Sequence, residues 1–402
     1  MSRKFLLYSH DTYGLGHLRR NTTIAAALTA EGNDAEVLLI SGSPRSASFP
    51  LPPRTDVVQL PSVTKSSAGR YVPRRLTGDI TSVVELRAAV IDSAVAAYRP
   101  DVMLVDHSPA GVNGELRPCL ARISADPGRP RLVLGLRDII DDAAKVASQW
   151  SSEGLWDVLD EYDEIVVYGD PAVCSTATEL GLAERCSAPV THVGYTAPQC
   201  GPSRRPKGHG ADTPLVVVTV GGGGDGFNLC ARYLEFVAHW SSPTFRSVVV
   251  TGPLMSSRRR RELRCVAARI RANVEVVEHE PDLRGLLGEA SAVVSMAGYN
   301  TAVELLTLGT PSLLVPRSFP RREQLLRAQR LAGVSHMDWC PLDELTTQRL
   351  ARFVSGASSA PRESTNLDLN GAVNVANRLL GAVPAAKVPL TEILMTQGAG
   401  HG

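Results

Sequence analysis

Short apolar runs mark the first half of the chain: Phe5 to Tyr8, Glu36 to Ile40, Val57 to Leu60, Val102 to Val105, Leu132 to Leu136, Ile165 to Val167 and Val190 to Val193. Most are separated by segments long enough for a helix, and continuous apolar runs of this length predict buried parallel strands. The alternation predicts an α/β domain, a parallel sheet wrapped by helices. The pattern stops over residues 197–213, which are rich in Pro, Gly and Arg and lack periodicity, as an interdomain linker does. It restarts with Leu215 to Val220, Ser247 to Val250, Val274 to Val277, Ala292 to Val294 and Leu313 to Val315. Two doubly wound, Rossmann-like domains are expected, over 1–196 and 214–370, followed by a closing helix and flexible tail over 371–402. A length of 402 residues gives each domain enough chain for its own core. Ligands of open α/β sheets bind beyond the carboxyl ends of the strands, so the cleft between the domains is the expected active site.

Within the second domain, residues 291–333 read as strand, tight turn, helix, strand, loop and helix in one run. Gly298 lets the backbone turn into a helix opening at Asn300 and Thr301, whose unpaired amides attract a diphosphate. Glu304, one turn further in, is placed to accept hydrogen bonds from a ribose diol. The strand Ser312 to Val315 ends at Pro316 and releases a loop reaching Glu323 and Gln324, an acidic residue beside an amide, which suits sugar hydroxyls. Thr301-x-x-Glu304 also fits a capping box, so Asn300, Thr301 and Glu304 stay open to a second reading as helix caps. Arg317, Arg321 and Arg322 flank the loop and would offset diphosphate charge. Upstream, TVGGGGDGF at 219–227 contains a formal GxGxxG at Gly221, Gly223 and Gly226. The next strand ends Val250-Thr251-Gly252-Pro253 without the carboxylate a dinucleotide site needs. Gly222 and Gly223 are therefore read as a close-approach loop at the cleft near the donor phosphates, with a simple turn as the alternative.

Ser295, Ala297, Gly298, Thr301, Glu304, Gly309, Pro311 and Gln324 fall in order on a pattern that resembles the donor-binding signature of the inverting GT-B-fold glycosyltransferases. That family includes the peptidoglycan-synthesis N-acetylglucosaminyltransferase, and a bacterial branch of it has an N-terminal sequence similar to SHDTYGLGHLRRN, found here at 9–21. The resemblance implies a GT-B fold, a UDP- or dTDP-sugar held by the second domain and an acceptor held by the first. It also implies that His17, which follows Gly14 and Gly16, stands where the family's glycine-rich loop carries a histidine close to the reacting sugar. Read from the residues alone, this loop faces the cleft without holding NAD: Arg19 stands where a third glycine belongs, and Ile40-Ser41-Gly42 offers no acidic residue. A local capping role for His17 stays open.

Asp106 and His107 follow the strand Val102 to Val105 and would project into the cleft, where the carboxylate could orient a base or bind acceptor hydroxyls and His107 would face the acceptor, or they form an Asx-type turn there. The segment PSVTKSSAGRYVPRR at 61–75 is the expected lip of the acceptor site. Its Lys65, Arg70, Arg74 and Arg75 favour an anionic acceptor, unless they are only a solvated loop. Elsewhere composition mainly excludes. A net charge of +1 gives no reason to expect a nucleic-acid partner. No stretch approaches the ~20 apolar residues of a membrane span, and the N-terminus is too short in its apolar part for a signal peptide. A cytoplasmic protein is expected, with peripheral membrane contact left open. Seven cysteines without a CxxC pair read as reduced thiols. With no D-x-D triplet and no metal-ligand spacing, neither a metal nor a cofactor is expected.

The expected chemistry is direct displacement at the anomeric carbon with inversion. A base takes the acceptor hydroxyl's proton while the nucleoside diphosphate departs, its charge met by helix amides and arginines. His17 is the first candidate base, with Asp11 and Asp106 in reserve. The acceptor is a small molecule, such as a natural-product core, or a lipid phosphate. Two other functions fit the same donor pocket: a nucleotide-sugar 2-epimerase, which converts the donor without an acceptor, and a noncatalytic nucleotide-sugar sensor. Oligomeric state is not legible in the sequence.

Overall fold

The computed structural model describes residues 2–11, 16–66, 70–198, 213–240, 244–270, 273–357 and 360–382. The first half builds a seven-stranded sheet from β1 (Arg3–Ser9), β2 (Ala35–Ser41), β3 (Thr55–Gln59), β6 (Val102–Asp106), β7 (Arg131–Arg137), β8 (Glu164–Tyr168) and β9 (Val190–His192). Its order is β3-β2-β1-β6-β7-β8-β9, and every neighbouring pair is parallel. Between β3 and β6 the chain inserts a small antiparallel hairpin, β4 (Val63–Lys65) and β5 (Tyr71–Pro73). The second half builds a six-stranded parallel sheet from β10 (Leu215–Thr219), β11 (Arg246–Val250), β12 (Val274–Val277), β13 (Ala292–Ser295), β14 (Ser312–Leu314) and β15 (Asp338–Trp339). Its order is β12-β11-β10-β13-β14-β15. In both sheets the order reverses beside the first strand, and the crevice that opens at such a switch point is where ligands bind.

The apolar runs read from the sequence correspond to the long strands, since β1, β6, β8, β10 and β13 are buried along their whole length or nearly so. The hairpin and β15 were not legible, because β4 and β5 lie in a polar, basic stretch and β15 has only two residues, so none of them forms an apolar run. Each half has an apolar cluster of its own, and a third cluster joins them, with Phe5, Leu7 and Leu18 from one side and Val217, Val293 and Leu314 from the other. Independent cores are therefore only part of the packing.

The helix Gly371–Ala382 returns from the second half to pack on the helix Gly16–Leu28. Arg378 Nε donates to Glu164 Oε1 at 2.7 Å and Asn374 Nδ2 to the Val193 carbonyl at 2.9 Å, so this helix is also bonded to β8 and to the residue after β9. The linker reading falls almost wholly on 199–212, and the tail reading on 383–402, both outside the described residues.

Candidate active site

The first helix begins at Gly16, so His17 and Arg20 stand three residues apart on one face. That face meets the carboxyl end of β6. Asp106, fully buried there, has Oδ2 at 2.8 Å from His17 Nδ1. The same carboxylate accepts from Arg20 Nη2 at 2.7 Å on each oxygen and from Arg20 Nε at 3.1 Å. Burial alone would raise the Asp106 carboxyl, but Arg20 and then His17 outweigh it and hold it at about 2. The Arg20 guanidinium in turn lies 5.1 Å from the Tyr168 ring and 5.3 Å from the Tyr299 ring. An imidazole that gives its Nδ1 proton to a carboxylate keeps the Nε2 lone pair for proton abstraction. Arg20 Nη2 also lies 2.9 Å from Nδ1. Two donors do not bond each other, so the carboxylate is the contact that orients the ring.

Both reserve bases are held by partners, Asp106 in the orienting place against His17 that the sequence left open to it. Asp11 is buried, and its Oδ2 accepts from Ser9 Oγ at 2.6 Å and Ser41 Oγ at 2.9 Å while Oδ1 receives the Leu18 amide at 3.3 Å. It holds β1, β2 and the start of the first helix together. Asp106, kept ionised by Arg20, is suited to orienting His17 rather than to taking a proton.

Beside this pair, His107 takes a left-handed backbone with φ of 72°. Its ring stacks 5.5 Å from that of His17, and its Nε2 accepts from Arg137 Nη2 at 3.0 Å. His10 completes the group at 4.6 Å from the His17 ring and 6.2 Å from the His107 ring. Burial lowers both His10 and His107 well below the ordinary imidazole range; the neighbouring His17 adds to this for His10, and Arg137 for His107. Lys65, on the hairpin, lies over the Tyr71 ring at 4.7 Å, whereas Arg70 is exposed. Gly14 lies outside the described residues.

On the donor side the helix runs Tyr299–Leu308, one residue earlier than read from the sequence, and Gly298 is its N-cap with no side-chain cap bond. The capping-box reading of Thr301 and Glu304 is thereby excluded: Thr301 is not the cap, and Glu304 lies well inside the helix. Glu304 is buried and its Oε1 meets Arg19 Nη2 of the first helix at 2.5 Å. The ion pair lacks good hydrogen-bond geometry, leaving both carboxylate oxygens without a proper donor among the described residues. Burial raises the Glu304 carboxyl, with Arg19 and Arg284 opposing. Asn300 Nδ2 donates to the Gly16 carbonyl at 3.2 Å, joining the two helix starts across the cleft. Thr301 is buried. Ser295 and Ala297 have fully buried side chains, the serine bonded to the Met296 carbonyl and the Ala297 carbonyl taken by Arg327.

The sugar loop is tied to both sides. Arg317 pairs with Glu323 and, at 3.2 Å, with Asp225 of the glycine loop, and its amide donates to Gln324 Oε1 at 3.4 Å. Lys145 donates to the Pro320 carbonyl at 3.0 Å and the Arg322 amide to Asp141 at 2.8 Å. The glycine loop needs its glycines for the approach to residues 251–254: a Cβ on Gly223 would lie 2.0 Å from the Thr251 carbonyl oxygen, and one on Gly222 3.0 Å from Leu254 Cδ1. Its close partner is therefore another loop of its own domain.

Several residues of this site escaped the sequence reading. Arg19 was read only as standing where a third glycine belongs and Arg20 was given no role, though the spacing of Arg20 from His17 is a helical signal. Arg137 and Asp138 follow an apolar strand just as Asp106 and His107 do, and the same rule would have found them. Asp138 receives Arg327 Nη2 at 2.7 Å and Nε at 2.9 Å, both side chains fully buried between the domains.

Comparison with known proteins gives the arrangement its class. Residues 215–370 match the glycosyltransferase family 28 C-terminal domain. Over 343 residues the chain is 26% identical to the UDP-N-acetylglucosamine--N-acetylmuramyl-(pentapeptide) pyrophosphoryl-undecaprenol N-acetylglucosamine transferase of Nitrobacter hamburgensis, covering 81% of this chain and 86% of that relative. Among solved structures, the glycotransferase of kitacinnamycin superposes with a TM-score of 0.59 at 16% identity over 99% of both chains. MurG of Acinetobacter baumannii superposes with a TM-score of 0.56 at 14% identity, covering 95% of this chain and 99% of its own. Two facing Rossmann-like domains with these likenesses define a glycosyltransferase of the GT-B class. The chain is related to the family of the peptidoglycan-synthesis N-acetylglucosaminyltransferase.

Proposed function

We propose that the protein transfers a sugar from a UDP- or dTDP-sugar to an acceptor hydroxyl with inversion, His17 acting as general base. The observation that carries this reading is the contact between Asn300 and Gly16, which sets the residue next to His17 against the first turn of the donor helix. A base there is close to a diphosphate drawn to the amides of that turn. Asp106 and Arg20 orient the imidazole, Asp11 fixes the loop, and Glu304 takes the ribose diol. Gln324 and Glu323 act on the sugar. The departing diphosphate is met by helix amides and arginines rather than by a protein-held metal.

UDP is the first choice of nucleotide, because the Nitrobacter relative is named for a UDP-N-acetylglucosamine donor. That relative is also named for a pyrophosphoryl-undecaprenol acceptor. No helix among the described residues is long and apolar enough to cross a membrane. Leu76 is half exposed directly after Arg74 and Arg75, a combination that suits contact with a membrane-borne acceptor.

The test is a screen of UDP- and dTDP-sugars for thermal stabilisation, followed by turnover with candidate acceptors and the anomeric configuration of the product by NMR. Inverted product, with His17→Ala lowering turnover by about 10²- to 10⁴-fold at unchanged donor affinity, is the expected outcome. Conversion of nucleotide sugar without acceptor would make the protein an epimerase, and tight binding without turnover a sensor.

A further inference from the structure

Tyr299 is the first residue of the donor helix, and nothing local calls for an aromatic there, since the cap is Gly298. Its side chain is buried and reaches out of its own domain. The Thr196 amide donates to its hydroxyl at 3.2 Å, and the Thr196 hydroxyl lies at the same distance. Two guanidiniums lie over the ring, Arg20 at 5.3 Å and Arg327 at 5.6 Å from its centroid. Each is paired with a buried carboxylate of the first domain, Arg20 with Asp106 and Arg327 with Asp138. A side chain of the second domain therefore touches the cation that shares its carboxylate with His17.

Arg20 is 2% exposed, so its charge is desolvated. Its Nε and Nη2 donate to Asp106, and the guanidinium lies over two rings, Tyr168 at 5.1 Å and Tyr299. A ring face attracts a cation most strongly where water is excluded. The two rings differ in what fixes them. Tyr168 belongs to β8, and its hydroxyl packs so closely on Gly135 of β7 that a Cβ there would stand 1.8 Å from it. It stays with the first sheet. Tyr299 arrives with the donor helix, so its face is present only while the domains are in contact. The margin for Arg20 is narrow, because Nη2 lies 2.7 Å from both Asp106 oxygens and also 2.9 Å from His17 Nδ1. A guanidinium free to slide would press a donor against the Nδ1 proton and break the bond that orients the imidazole.

We propose that Tyr299 is a positioning residue for the base: its ring keeps Arg20 on Asp106, and so keeps His17 oriented only while the donor helix is seated against the first domain. The assignment rests on the reading of His17 as general base. Tyr299 acts through Arg20 and touches no reacting atom. The consequence is that the base is assembled only in a closed cleft, from which water is excluded, and is disarmed in an open one. A ring that served only as core filling would leave the imidazole undisturbed when another apolar side chain replaced it.

The experiment is NMR of the full chain with isotope-labelled histidine, following the His17 Nδ1 proton shared with Asp106. A ring N–H held by a carboxylate resonates far downfield, and this signal is assigned by its loss in His17→Gln. Tyr299→Leu should lose the signal or move it upfield. Tyr299→Phe keeps the ring, drops only the Thr196 contact, and should retain it. If Tyr299→Leu does not fold, Tyr299→Met fills the space without a ring face and should give the same loss. Where the proton exchanges too fast to be seen, the ring nitrogen shifts of His17 report the same bond and carry the same comparison. An unchanged signal in the ring-free variant overturns the proposal. So does loss of the signal in both Tyr299→Leu and Tyr299→Phe, because the hydroxyl contact rather than the ring would then hold the site. The base reading fails on a different result, unimpaired turnover in His17→Ala, which leaves the dependence of the N–H signal on Tyr299 to be read by itself.

Discussion

At the scale of single residues, the site turns on how charges are paired rather than on which are present. Asp106→Asn keeps the shape of the side chain but removes the charge that Arg20 and His17 share, and should lower turnover about 10²-fold or more without altering UDP affinity. The acid stability of the fold should carry the same signature. The Asp106 carboxyl is held at about 2, below its ordinary ~3.9. Its stabilising effect is therefore complete above that ordinary value and lost as pH falls through about 2, amounting to roughly 2 kcal/mol. Thermal midpoints of wild type and Asp106→Asn should differ at neutral pH and converge toward pH 2. His10 and His107 add an acid sensitivity of the same sign: burial keeps them neutral, so the unfolded chain gains protons first as pH drops below ~6.5.

At the scale of elements, the first helix and the donor helix meet through Arg19–Glu304 and Asn300–Gly16. In this arrangement Arg19 occupies the carboxylate assigned to the ribose. Glu304→Gln should weaken UDP binding by about 1–3 kcal/mol, the penalty for losing a charged acceptor at a buried hydrogen bond. Arg19→Ala should act the other way and tighten UDP by about 0.5–1 kcal/mol, a small figure because Arg19 is about a third exposed and solvent screens the pair. Calorimetry on the two variants separates the alternatives. Weakening by both would mean that Arg19 stays in the nucleotide site and binds there itself.

At the scale of the whole molecule, the two domains are joined by the buried pair Arg327–Asp138, by Arg330–Glu179 at 2.8 Å, by the sugar-loop contacts and by a shared apolar cluster. Asp138→Asn leaves the Arg327 charge buried without a counter-ion, and should destabilise the domain interface by about 3–5 kcal/mol. Replacing both partners, as Asp138→Leu with Arg327→Met, should cost less than either single change. Differential scanning calorimetry checks both, and the single variant is expected to separate the unfolding of the two domains into distinct transitions.

The amino-acid sequence by itself determined the alternation of strands and helices, and with it the parallel sheets, because a strand buried on both faces must be apolar throughout, as β6 and β8 are. It also marked Gly298, Glu304 and Gln324, whose spacing is local, and His17, whose assignment came from the family resemblance. The tertiary structure decided the roles that depend on partners far apart in the chain. Arg20 and Asp106 are 86 residues apart, and Arg327 and Asp138 are 189 apart. A carboxylate's character as base, cap or orienting anion is set by such neighbours and by burial, and neither is written in a local pattern. That is why Asp11 and the Thr301-x-x-Glu304 pattern were legible as residues but not as roles, and why the hairpin strands, set in a polar and basic stretch, left no apolar run to read.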